Sequence, residues 1–227
     1  MNETARPAFY ALAPGGWRDY VTLLHPPYTA WHLSYVAIGA ALAPRWRPGI
    51  LGLALAAFFL GMGVAAHALD ELNGRPLRTR IGSGTLVVVA VVSLAGAAAI
   101  GIGTAIHTSL WLLAFVAAGA FIAVAYNLEL FGGRLHGDLG FALAWGALPL
   151  LATYFAAAET IRVEAVVAAG AAALLSHAQR VLSTPVRRMR RQEGTLSGDG
   201  RELERALQLL SAATVGLAVA LVLTRVT

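Results

Sequence analysis

In the stretch His67-Ala-Leu-Asp-Glu-Leu-Asn-Gly-Arg-Pro-Leu-Arg78, Asp70 and Glu71 stand three and four residues after His67, Arg75 and Arg78 follow, and Arg80 lies two residues beyond. On a helix those spacings share a face, so an imidazole and two carboxylates converge beside guanidinium groups. Such a set can hold a divalent cation through Asp70 and Glu71, grip a phosphate through Arg75 and Arg78, and accept a proton at His67. The same residues also suit an ordinary helix end, where acids pair with arginines while Gly74 and Pro76 stop the helix.

Two further groups of polar residues end apolar stretches in the same way. Tyr126, Asn127, Glu129, Arg134, His136 and Asp138 surround the turn Gly132-Gly133. Tyr126, Asn127, Glu129 and Arg134 are candidates for lining a pocket. Asp138 could join them or could cap the helix it opens, because an acid there meets unpaired amides and the helix dipole. Ser176, His177, Gln179 and Arg180 close another apolar stretch, and Ser183-Thr184-Pro185 is expected to begin a loop. His177 is a second candidate for proton transfer, and Gln179 and Arg180 are candidates for phosphate contact. Arg187, Arg188, Arg190 and Arg191 read as retention charges that fix topology. His32 reads as a satisfied polar group within a span, and His25 and His107 as interfacial. None of these histidines has the spacing of a zinc site.

The elements that must position these groups are apolar helices. Of 227 residues, 58% are hydrophobic and 13% charged, and the mean hydropathy is +0.67. That balance excludes an ordinary soluble domain and supplies several bilayer-length runs. Seven runs begin near Tyr28, Gly49, Thr85, Thr108, Gly137, Thr160 and Arg205. They predict an all-α bundle of about seven transmembrane helices forming a single domain over residues 1–227. Residues 1–27 have charges and the pair Pro26-Pro27 but no apolar core with a cleavage site, so they read as an interfacial lead-in.

All 17 basic residues are arginine. Alternate connections divide them unequally: one side keeps only Arg45, Arg47, Arg162 and Arg225. The rule that positive loops stay inside then puts the N-terminus in the cytoplasm and the C-terminus outside, in a bacterial or archaeal cell membrane. The net charge of +5 reads as a topology signal and an attraction to anionic membrane lipids. Nucleic acid is not expected, because aromatic and basic residues are not interleaved. The absence of cysteine excludes disulfides and thiolate metal ligands.

The order of these landmarks resembles the UbiA superfamily of intramembrane prenyltransferases. The residues that carry the likeness are Leu24-His-Pro-Pro-Tyr-Thr29, Asp70 followed by Arg75-Pro76-Leu77, and Tyr126 through Trp145-Gly146 to Leu148-Pro149. The resemblance covers most of the chain. It implies a helical bundle that holds an isoprenoid tail, with the diphosphate at the cytoplasmic mouth. In that family two Asp-rich motifs hold Mg2+ and help the diphosphate leave. Here the first motif is reduced to His67, Asp70 and Glu71, and the second is replaced by Ser176-His177-Ala-Gln179-Arg180, which has no acid. The resemblance therefore implies one Mg2+ at most, on Asp70 and Glu71, with Arg75, Arg78 and Arg180 on phosphate and His67 or His177 handling the proton.

Two functions follow from it. One is a divergent transferase acting on a polyprenyl phosphate or diphosphate. The other is a noncatalytic UbiA-fold protein that binds an isoprenoid, quinone or pigment, or a subunit whose exposed helix edge is covered by a partner or a second copy. Transport has the weakest claim, since no acid or base lies deep at mid-membrane.

Overall fold

The computed structural model describes residues 6–192, 196 and 198–227. Among them are eight helices and no strand: α1 (Trp17–Leu23), α2 (Pro26–Leu42), α3 (Pro48–Leu72), α4 (Ser83–His107), α5 (Leu112–Asn127), α6 (Asp138–Ala158), α7 (Val163–Gln192) and α8 (Gly198–Val226). Five of them, α3, α4, α6, α7 and α8, are long and apolar enough to cross a membrane. α5 is apolar but has 16 residues, and α2 has 17. Prolines at the first positions of α2 and α3 start those helices, where a missing N–H leaves no intrahelical bond unmade.

α2 and α6 form the centre. Trp31, Tyr35 and Ile38 of α2 pack with Ala147 and Leu150 of α6, Ala169 and Ala172 of α7, and Ala218 of α8. Small residues let the backbones touch. A Cβ on Gly39 would lie 2.4 Å from the Leu150 carbonyl oxygen, and one on Gly146 would lie 2.6 Å from that of Ala172. Close approach of this kind supplies dispersion contacts where lipid offers no hydrophobic drive between helices. The outer helices instead turn apolar side chains outward, as Val87, Val88, Val91 and Val92 of α4 do.

Two helices contain π-helical stretches, Phe59–Ala66 in α3 and Ala142–Ala147 in α6. Each inserts an extra residue per turn and rotates the downstream face, a device common beside functional sites.

The expected loop at Ser183-Thr184-Pro185 is helix. α7 continues through Pro185 to Gln192. Pro185 removes the backbone donor that the Val181 carbonyl oxygen would meet, and one residue before it Thr184 donates its hydroxyl to the Arg180 carbonyl oxygen at 2.8 Å. The turns beyond are fixed by buried Val186 and by a bidentate pair between Arg190 and Glu204 of α8, closest at 2.7 Å. These contacts offset a penalty of about 3 kcal/mol for an interior proline. Of the turn expected before α8, residues 194, 195 and 197 lie outside the described residues.

Candidate functional site at the Arg-rich end of the bundle

A polar cavity of about 490 Å³ opens where α2, α6 and α8 begin and α3, α5 and α7 end. Asp70, Tyr126, Asn127, Glu129, Gln179 and Arg180 line it together with His67. Three polar groups far apart in sequence thus meet in one space. The floor is apolar: Met62 and Trp145 line both this cavity and a smaller apolar crevice of about 120 Å³ between α3, α4, α5 and α6.

The two acids expected to act together are separated. Glu71 is fully buried and accepts three hydrogen bonds: from Leu77 N (2.9 Å), Thr79 N (2.8 Å) and Thr79 Oγ1 (2.9 Å). Its carboxylate organises the loop of residues 73–82 and lies outside the cavity lining. Asp70 lines the cavity; its backbone carbonyl oxygen accepts from Asn73 N at 3.1 Å, but its carboxylate accepts no hydrogen bond among the described residues. Adjacent helical residues point about 100° apart, so one faces the loop and the other the cavity.

Arg75 and Arg78 also lie outside the lining. Arg75 donates to the Ile81 carbonyl oxygen (2.5 Å) and Ser83 Oγ (2.8 Å), stitching the same loop. Arg78 is exposed. Arg134 is exposed on its turn and does not reach the cavity. His177 also misses it: buried Ser176 and Gln179 mark the inward face of α7, and His177 sits round the helix from them.

Arg180 reaches the cavity, and each of its three nitrogens already has a protein partner. Nε donates to Asp138 Oδ1 (2.7 Å), Nη1 to the Tyr126 hydroxyl, and Nη2 to the His136 carbonyl oxygen (3.0 Å). Its guanidinium also lies 5.7 Å from the centre of the Phe141 ring. Arg180 is thus a clamp joining α5, the following loop, α6 and α7. Asp138 is its exposed partner and makes no side-chain cap.

His67 Nδ1 lies 3.0 Å from the Gly63 carbonyl oxygen inside the π-helical stretch. A carbonyl only accepts, so Nδ1 donates, and in the neutral imidazole Nε2 keeps its lone pair. His25 stacks on His67 with ring centres 4.1 Å apart, and its Nδ1 meets the Tyr10 hydroxyl at 2.8 Å. Burial first, then the neighbouring His67 and Arg187, hold the His25 imidazole well below its usual range. Burial raises the Tyr10 hydroxyl well above 10. Both groups are therefore neutral at pH 7.

Several lining residues escaped the sequence reading. Arg187, Arg190 and Arg191 line the cavity, as do Tyr10, His25 and Tyr28. Arg190 is paired with Glu204, whereas Arg187 and Arg191 have no carboxylate partner among the described residues. The charge of Arg187 acts on Tyr10, Tyr28, Asp70 and Tyr126. The signal was present as Arg180, Thr184, Arg187 and Arg191 at helical spacing, hidden by the expected stop at Pro185.

No three histidine or acidic side chains converge at metal-holding distance among the described residues. The donor set does not fit two Mg2+ ions held by protein alone. It fits at most one that a phosphate carries in and Asp70 helps hold, a common arrangement for Mg2+. The chain matches no protein family, no curated protein and no solved structure with which it was compared.

Proposed function

We propose that this protein is an integral membrane transferase of the UbiA type that acts on a polyprenyl phosphate or diphosphate. It would work at the cytoplasmic mouth of a seven-helix bundle, with the N-terminus inside and the C-terminus outside. One observation carries the proposal: Asp70, Tyr126, Asn127, Gln179 and Arg180, from three separate polar stretches, line a single cavity. That cavity has a cationic wall above and an apolar floor below. Such polarity matches an amphiphile with an anionic head and a hydrocarbon tail.

In this reading Arg187 and Arg191 hold the phosphate, since Arg180 and Arg190 already have partners. The tail passes Met62 and Trp145 into the apolar crevice. The allylic C–O bond to phosphate breaks, a new bond forms between that carbon and the acceptor, and the acceptor's proton goes to His67 Nε2. Asp70 faces the developing cation. Its carboxylate is the available acid of the Asp70–Glu71 pair, because Glu71 is engaged by the loop. If one Mg2+ accompanies the diphosphate, it neutralises leaving-group charge, and Asp70 is the residue that would share it.

A second reading rests on the sparse metal-binding donors: a noncatalytic protein that stores or presents a prenyl lipid. Mass spectrometry of lipids retained by gently purified protein, followed by incubation with geranylgeranyl diphosphate with and without Mg2+, separates the two. The transferase reading expects a retained prenyl lipid and diphosphate release that Asp70→Asn lowers by about a hundredfold, within the range for a group that stabilises developing charge. A retained lipid without release supports storage. Neither retention nor release rejects both readings.

A further inference from the structure

Residues 6–10, the described part of the chain ahead of Ala11, lie beside the polar cavity. Residues 7–10 line the polar cavity. They have no helix or strand, and their root is firm. Ala11 is fully buried, and Leu12 N donates to Thr22 Oγ1 of α1 at 3.0 Å. Asp19 of α1 is itself fixed by the backbone N–H of Arg80 at 2.9 Å.

Above that root the attachments are few. Tyr10 meets His25 Nδ1 at 2.8 Å, and Arg190 Nη1 reaches the Arg6 carbonyl oxygen at a long 3.4 Å. These are the side-chain hydrogen bonds that hold residues 6–10 to the bundle among the described residues. Edge contacts add to them: the Tyr10 ring lies 5.6 Å from Tyr28, and that of Phe9 lies 6.5 Å from it. A segment with few bonds and little core opens at low free energy while its root stays in place.

We propose that residues 6–10 form a strap, rooted at Ala11 and latched by the Tyr10–His25 hydrogen bond, that opens to admit polar solutes from the water side to the cavity. The strap covers the wall that carries His25 and Tyr28. Opening exposes these groups without moving a transmembrane helix. The inference stands whether the occupant of the cavity is a prenyl phosphate or another anion.

The natural chain has no cysteine, so a single introduced thiol reports access cleanly. Ser183 is buried and lines the cavity. Thr153 is equally buried but lines the apolar crevice instead. Ser183→Cys and Thr153→Cys are each treated with a charged methanethiosulfonate, with Tyr10 intact, as Tyr10→Phe and as Tyr10→Ala. Tyr10→Phe is expected to speed modification at position 183 by about threefold to tenfold, the equivalent of one neutral hydrogen bond. Tyr10→Ala should speed it further, with position 153 unchanged. Equal rates at position 183 in all three backgrounds would overturn the strap. Parallel increases at 183 and 153 would also overturn it, because they mean a loosened bundle. Neither result depends on turnover, so both are distinct from failure of the transferase reading.

Discussion

In the loop of residues 73–82 the charged groups answer one another, whereas along the last turns of α7 two guanidinium groups line a cavity and make no ion pair among the described residues. Glu71 takes three hydrogen bonds from the loop, and Arg75 closes it onto Ile81 and Ser83. Arg187 and Arg191 line the cavity unpaired among the described residues. Both regions are rich in arginine, and both look equally reactive as strings of letters. The difference lies in the partners. A charge satisfied by backbone and neighbours holds structure, whereas one left facing water and a polar cavity remains available for a ligand.

The strongest way to break this contrast is to exchange the fates of the adjacent acids. Glu71→Ala leaves the buried amides of Leu77 and Thr79 without acceptors. It is expected to cost about 3–5 kcal/mol, or a fall of roughly 10 °C in Tm for a chain of this size. Asp70→Ala removes a side chain with no hydrogen bond among the described residues and should change stability by about 0.5 kcal/mol or less. Thermal unfolding in one detergent compares the two. Equal losses would mean that Asp70 is also structural, and the assignment of the cavity acid would go with it.

That contrast also marks how far the amino-acid order could be read. The long helices were legible because runs of Ala, Leu, Val and Gly leave few alternatives to a bilayer-length helix. The ends of those runs falling on one side pointed to a meeting of Asp70, Tyr126 and His177; Asp70 and Tyr126 line one cavity, whereas His177 does not. What failed was local direction. His67, Asp70 and Glu71 share a helical side only loosely, and a neighbouring loop decided which acid turned away. Pro185 read as a stop because its lost bond is visible in the sequence, whereas the Arg190–Glu204 pair that offsets it joins two helices. The course of residues 6–10 was illegible for the same reason: few local preferences govern it, and distant partners such as His25 hold it.

Arginine exchange sharpens the comparison at a smaller scale. Arg187→Gln should weaken binding of geranylgeranyl diphosphate by roughly tenfold to a hundredfold, the range for a lost charge-assisted hydrogen bond, with little change in Tm. Arg75→Gln should leave binding within about twofold and lower stability by about 1 kcal/mol through its lost loop bonds. Binding titrations and unfolding curves on both variants give a crossed pattern if the two regions differ as described. Weakened binding in both variants would mean that the loop, too, contributes to the anion site.

The smallest effect belongs to the border between the regions, the Arg180–Asp138 pair. Its distance is short at 2.7 Å, yet the Asp138 side chain is 61% exposed. Water and salt screen such a pair, so Asp138→Asn should cost only about 0.5 kcal/mol. Arg180 would keep its bonds to Tyr126 and the His136 carbonyl oxygen, and the clamp should hold its shape. At about 1 M salt the Debye length shrinks to roughly 3 Å, so the difference in Tm between wild type and Asp138→Asn should disappear there. A loss that persists in high salt would mean that Asp138 acts by fixing the geometry of Arg180 rather than by its charge, which would place the start of α6 with the self-satisfied loop and not with the open wall of α7.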